Sequence, residues 1–171
     1  MVAVIYGSST LNTEYVSQRL VAAFGSDHAD LHNVKDIEPS LIEDRSGLVF
    51  VTSTWGTGDL QDDWELFLPR MEELSFEKKV VGLVGVGDQD NYPETFCDSI
   101  AILYELVTRN GGKVVGATDT EGYSFKKSRA LREGRFVGLV LDEDNQADHT
   151  DQRIRDWVKL VSPSLTRMAR A

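Results

Sequence analysis

Gly7-Ser8-Ser9-Thr10-Leu11-Asn12-Thr13 follows an apolar run, Val2 to Tyr6, and leads directly into Val16, Leu20 and Phe24, which recur at helical spacing. A strand that turns this abruptly into a helix aims backbone N–H groups and the positive end of the helix dipole at one point. The turn carries four hydroxyl side chains and no Lys or Arg. Neutral donors at a helix start suit one phosphate group better than a di- or triphosphate. The stretch therefore predicts a βα unit that binds the phosphate of a mononucleotide.

The rest of the chain repeats the same alternation. Val2–Tyr6, Gly47–Ser53, Val80–Val86 and Lys113–Ala117 are short Val-rich runs, with a weaker one near Ala29–Val34. Runs apolar on both faces fit strands covered by helices on both sides. Helical spacing recurs in Trp64, Phe67, Leu68 and Met71; in Phe96, Ile100, Leu103 and Val107; and in Ile154, Trp157, Val158 and Val161. A poorer helix is expected at Leu41–Asp44, and Asn110-Gly111-Gly112 reads as a helix stop. This order predicts an α/β fold with right-handed crossovers. One polar segment, Thr118 to Arg135, interrupts it before a further strand-like run, Phe136–Leu141, and reads as an insertion into the last strand.

The length of 171 residues is enough for one domain spanning 1–171 with a sizeable core. A net charge of −10 argues against a general nucleic-acid binder and favours a basic partner. A single cysteine, Cys97, excludes an internal disulfide. No apolar run is long enough for a membrane span, and the chain opens on a strand pattern without a signal-peptide layout, so the expected compartment is the cytoplasm. His28, His32 and His149 lack metal-ligand spacing and are expected at the surface; no metal site is expected.

Two phosphate motifs are absent. There is no G-x-x-x-x-G-K-[ST], and the first turn lacks G-x-G-x-x-G. In doubly wound sheets the ligand lies beyond the carboxyl ends of the strands. Besides residues 7–13, that edge should carry Ser53-Thr54-Trp55-Gly56-Thr57-Gly58-Asp59 and Gly87-Asp88-Gln89-Asp90-Asn91-Tyr92-Pro93. Trp55 and Tyr92 on two loops of one edge can sandwich a planar ring. Either one alone could equally cover the edge of the core. Together, beside a hydroxyl-rich turn, they point to a ring cofactor.

These loops, with Asn12-Thr13-Glu14, Gly58-Asp59-Leu60-Gln61 and Gly87-Asp88-Gln89, resemble the flavodoxins, small FMN-carrying electron-transfer proteins. Gly122-Tyr123-x-Phe125 and the stretch Phe136 to Gln146 resemble the long-chain branch, whose last strand is split by an insertion. The resemblance runs from about residue 2 to 161. It implies a flavodoxin-like doubly wound, five-stranded parallel sheet of order 2-1-3-4-5, with helices on both faces and the last strand split at about 118–135. It also implies non-covalent FMN, with Ser8, Ser9, Thr10, Asn12 and Thr13 on the phosphate and Trp55 and Tyr92 on the two ring faces. Backbone groups of Gly56, Thr57, Gly58, Asp88 and Cys97 would meet the ring's polar edge, with Ser53, Thr54, Gly87 and Phe96 completing the site. A flip of the Gly56 peptide would favour the one-electron state. The implied role is a low-potential one-electron carrier without a substrate reaction of its own. It would be a monomer serving an NADPH-dependent flavodoxin/ferredoxin reductase and acceptor enzymes.

The sequence departs from the family pattern at three points. Leu11 stands where Gly is usual, as in the divergent group called flavodoxin 2; Ser53 replaces a common Pro; and Asn91 precedes Tyr92 where Gly is frequent. Leu11 is expected to open the turn or to face solvent, and a Leu11→Gly change to tighten phosphate binding if the turn is strained. Residues 59–98 hold eleven acidic and three basic side chains, a net −8 in the segment that contains two of the three loops. One carboxylate about 10 Å from the ring, at an effective dielectric of about 40, opposes an added electron by roughly 0.8 kcal/mol. The same cluster would steer a basic partner. The opposite imbalance in 121–135, five basic against two acidic groups, would either bind a second partner or balance local charge, and the second is the favoured reading. A quinone reductase of related fold is disfavoured because Tyr92 would cover the ring. A receiver-like signalling domain is disfavoured because no acids follow the first strand.

Overall fold

The computed structural model describes residues 1–55 and 57–167. In chain order the elements are β1 (Val2–Tyr6), α1 (Leu11–Phe24), β2 (Ala29–Asn33), a 3-10 turn (Val34–Asp36), α2 (Pro39–Glu43), β3 (Gly47–Trp55) and β4 (Asp59–Leu60). They continue with α3 (Asp62–Glu72), β5 (Val80–Val86), α4 (Ser99–Arg109), β6 (Lys113–Val115), β7 (Leu131–Arg132), β8 (Arg135–Phe136), β9 (Leu139–Leu141) and α5 (Ala147–Arg167).

The main sheet runs β2-β1-β3-β5, and both β6 and β9 pair with β5 in parallel. β6 and β9 are thus two halves of one fifth strand, and the expected order 2-1-3-4-5 is the one found. Because the strands are Val- and Leu-rich and covered on both sides, the core has two halves. One lies under α3 and α4, around Phe50, Trp64, Phe76 and Ile100. The other lies under α1 and α5, around Val16, Leu20, Trp157 and Val161.

Several predicted boundaries shift for visible reasons. β3 continues past Ser53 to Trp55 because its last two residues pair antiparallel with β4, Thr54 with Leu60 and Trp55 with Asp59. The run Lys113–Ala117 is strand only to Val115. Gly116 has φ +92, and a Cβ there would lie 2.5 Å from Trp157 Nε1, so the chain turns away from the sheet. Of Phe136–Leu141 only Leu139–Leu141 rejoins β5; Phe136 belongs to the β7–β8 hairpin. That hairpin turns through Glu133 and Gly134, both at positive φ, as a two-residue turn of this hand requires. The insertion is less polar in effect than its composition. Phe136 and Ala130 are fully buried, and Phe136 meets Phe125 and Tyr123 at ring distances of 5.3 and 5.4 Å.

Its basic residues find acidic partners, with Arg135 on Asp119, Arg132 on Glu105, Arg129 on Asp98 and Lys126 on Glu94. These four pairs balance charge locally. Among the described residues no helix is long and apolar enough to cross a membrane.

Candidate cofactor cleft

The carboxyl ends of β1, β3 and β5 open on one side of the sheet, at the point where the strand order reverses between β1 and β3. A cleft of about 220 Å³ sits there, lined by residues of several loops. Thr10, Asn12 and Thr13 come from the start of α1, Ser53, Thr54 and Trp55 from the end of β3, and Gly87, Asp88 and Tyr92 from the loop after β5. These nine were all predicted from the sequence. Val86 and Asp144 line it as well and were not.

The α1 end is built to meet an anion. Thr10 is the N-cap, yet its side chain makes no capping hydrogen bond, so it leaves the first N–H groups of α1 uncapped. The Ser8 hydroxyl is buried and has no hydrogen-bond partner. Among the described residues no Lys or Arg lines the cleft. A buried orphan hydroxyl beside an uncapped helix start is a donor set that fits a phosphate.

The turn itself is pinned from the other face of the sheet. Gln61, buried at the start of α3, accepts hydrogen bonds from Asp63 N (3.1 Å) and Trp64 N (3.3 Å) and donates to Ser9 Oγ (3.0 Å). Gly7 lies against this side chain; a Cβ there would come within 2.1 Å of Gln61 Oε1. Leu11 is the first residue of α1 and is absent from the residues with positive φ; its side chain is 79% exposed. The expectation of solvent exposure is met. The idea that Leu11 strains the turn is not, because a helical φ has no penalty for Leu.

At the other end, Trp55 and Tyr92 are 41% and 55% exposed. Two large aromatic surfaces left open beside one cleft are available to stack. Trp55 Nε1 donates to Ser53 Oγ at 2.8 Å, which fixes the indole edge. Thr54 Oγ1 donates to Ser99 Oγ (2.8 Å) and ties the end of β3 to the start of α4. Burial pushes the Asp88 carboxyl up, but hydrogen bonds from Asn91, Asn145 and Asp90 outweigh it and hold the group below its usual range. Asp144 is pushed upward, first by burial and then by Asp88, Asp142 and Glu143.

The remaining predicted residues lie off the cleft lining. Ser8 and Ser9 sit behind it, and Thr57 and Gly58 form the turn between β3 and β4. Gly56 is outside the described residues. Phe96 and Cys97 are buried under β5; Cβ atoms at Gly85 or Gly87 would contact Cys97. Cys97 has φ +53. Burial, then Asp142 and Asp98, push its thiol well up, so the side chain is an inert packing group. Asp144 was missed although the last strand was read to its observed end at Leu141, because the loop that follows was not assigned to the cleft edge. The signal was present: β9 is parallel to β5, so the loop after it must reach the same edge.

This fold and cleft define a doubly wound α/β protein with its ligand site at the switch point of the sheet. The family model described as Flavodoxin matches residues 4–157. The flavodoxin of a Nostoc species is 43% identical over 157 residues, covering 92% of each chain. That of Helicobacter pylori is 42% identical over 163 residues, 95% of this chain and 97% of the other. The crystal structure of Fusobacterium nucleatum flavodoxin bound to flavin mononucleotide superposes with a TM-score of 0.92 at 36% identity, over 96% of this chain and 98% of that one. Flavodoxin 2 from Bacillus cereus, at 19% identity and a TM-score of 0.73, shares the fold. The chain belongs to the flavodoxin family, whose members carry electrons and have no substrate reaction of their own.

Proposed function

We propose that the cleft holds FMN without a covalent bond and that the protein passes single electrons between other redox proteins. The observation that carries this is one continuous cleft with two unlike ends: an uncapped helix start with hydroxyls, and a pair of open aromatic rings. Its family relative bound to flavin mononucleotide supports the same reading. Bound flavin supplies the one-electron chemistry; the protein positions it and sets its potential.

Ser8, Ser9, Thr10, Asn12, Thr13 and the first N–H groups of α1 hold the phosphate. Trp55 and Tyr92 cover the two ring faces and exclude water from them. Main-chain groups of Gly56, Thr57, Gly58, Asp88 and Cys97 meet the polar edge, and Ser53, Thr54, Gly87 and Phe96 support them. Asp88 and Asp144 place carboxylates on the cleft wall and oppose added negative charge on the ring, which lowers the potential. The acidic side chains of residues 59–98 form the docking face for a reductase and for acceptor proteins of opposite charge, met by a monomer.

Titration of the apoprotein with FMN and with riboflavin tests the site. FMN should bind with loss of its fluorescence, and riboflavin, which leaves the phosphate donors unused, far more weakly. Potentiometry of the complex should then show two separated one-electron steps. No flavin binding, or a single two-electron step, would overturn the reading.

A further inference from the structure

Asp142 is a fully buried carboxylate that the proposed site does not use. It lies just past β9, and every contact it makes is as an acceptor. Its Oδ2 accepts from Gln89 N (3.1 Å), Gln89 Nε2 (2.8 Å) and Asn145 Nδ2 (2.9 Å), and its Oδ1 from Asn145 N (3.0 Å). No cation is among these partners. A buried carboxylate held by several amide donors is fixed in place by them.

The donors lead in one direction. The Asn145 amide also donates to Asp88 Oδ1 at 2.9 Å. Asp88 in turn accepts from Asp90 N (3.2 Å), Asn91 N (3.0 Å) and Asn91 Nδ2 (2.7 Å), and its carbonyl accepts from Tyr92 N (2.9 Å). Gln89 Oε1 accepts from Ser124 N of the insertion at 2.7 Å. One carboxylate thus gathers the turn 88–92, the loop after β9 and the inner edge of the insertion.

We propose that Asp142 is a positioning residue that holds the 88–92 turn, and through it Tyr92, against the ring end of the cleft. The proposal rests on the FMN reading. It assigns the depth of the Tyr92 contact to a side chain that does not itself reach the cleft. Asp142→Asn keeps the size but presents an NH2 group to some of the N–H donors that now converge there. Asn145→Ala breaks the link to Asp88 from a solvent-exposed position, and serves if the first variant does not fold.

The test measures FMN affinity by fluorescence titration in the wild-type background and again with Tyr92→Ala. Hydrogen exchange at the amides of Asp90, Asn91 and Tyr92 is followed in the apoprotein. The expected result is roughly 10- to 100-fold weaker FMN binding for Asp142→Asn and faster exchange at those amides. The loss should shrink to less than about threefold once Tyr92 is already Ala, because the two changes remove one interaction. The visible circular dichroism of the bound flavin in Asp142→Asn should move toward that of Tyr92→Ala. Wild-type affinity in both variants, or an equal loss in both backgrounds, would overturn the proposal while leaving FMN binding intact. A wild-type protein that binds no FMN would instead overturn the reading beneath it.

Discussion

Replacing Gly7 by Ala tests whether the phosphate turn is held from behind by α3. The added Cβ would fall 2.1 Å from Gln61 Oε1 and 2.7 Å from Trp64 Cδ1, both far inside contact distance. Trp64 is fully buried and its Nε1 donates to Val51 O at 2.9 Å, so the indole has no space to retreat. Gln61 is the group that moves. Its displacement uncaps α3 and leaves the Asp63 and Trp64 N–H groups unpaired, at a cost of roughly 1–3 kcal/mol. The expected loss is therefore about 1–3 kcal/mol, or roughly 2–12 °C in the melting temperature of a chain this size. Urea unfolding of the apoprotein measures it, with Gln61→Ala and the double variant completing a cycle. Because Gln61→Ala removes the nearer clash, Gly7→Ala should cost at least about 1 kcal/mol less in that background. FMN affinity should fall with stability, since Ser9 loses its bond from Gln61. A single variant within about 0.5 kcal/mol of wild type, or fully additive effects, would refute the argument.

Trp55→Ala should weaken FMN binding by about 1–3 kcal/mol, roughly 5- to 150-fold, in fluorescence titration, while Trp55→Phe retains most of it; unchanged affinity would remove the stacking role. Leu11→Gly should leave FMN affinity within about twofold and lower apoprotein stability by up to about 1 kcal/mol, because Leu11 is already in helical conformation and faces solvent. Burial raises the Asp30 pKa, but two Arg45 hydrogen bonds (2.8 and 2.7 Å) and His32 outweigh it and hold the carboxyl below its usual range. A lowered folded pKa adds stability above the unfolded value and loses it as pH falls through the folded one. Asp30→Asn should thus cost about 1 kcal/mol at neutral pH in urea melts, with the difference closing as pH drops below the ordinary value of 3.8.

The sheet was legible because its strands are apolar on both faces, a pattern only double coverage explains. Val80–Val86 shows it most plainly, and its predicted bounds are those observed. The cleft was legible to the extent that strand ends were. Wherever a strand ended in a recognisable turn, as at Gly7, Ser53 and Gly87, the lining residues could be named. The fifth strand is interrupted, and there the reading kept the outer bounds, Lys113 and Leu141, but lost the two bounds beside the insertion and Asp144. Contacts between loops far apart in sequence left no local trace. Nothing near Gln61 announces Ser9, and nothing near Asp142 announces Gln89. Such pairings depend on where the folded sheet delivers each loop, which no local periodicity encodes.

The split in the fifth strand has a consequence for how the chain can be cut. Val115 pairs with Gly82 and Leu139 with Val84, so the strand leaves β5 and returns after skipping a single partner, Leu83. The two ends of the 116–138 excursion are therefore neighbours, and a bridge between Thr118 and Phe136 joins its first residues to β8. The excursion leaves and rejoins the sheet through two adjacent stems, while Ala130, Phe136 and Val137 pack into the core between them. Opening the chain at the exposed Glu133–Gly134 tip to create new termini therefore alters the order of the polypeptide without removing a core residue or reordering the sheet.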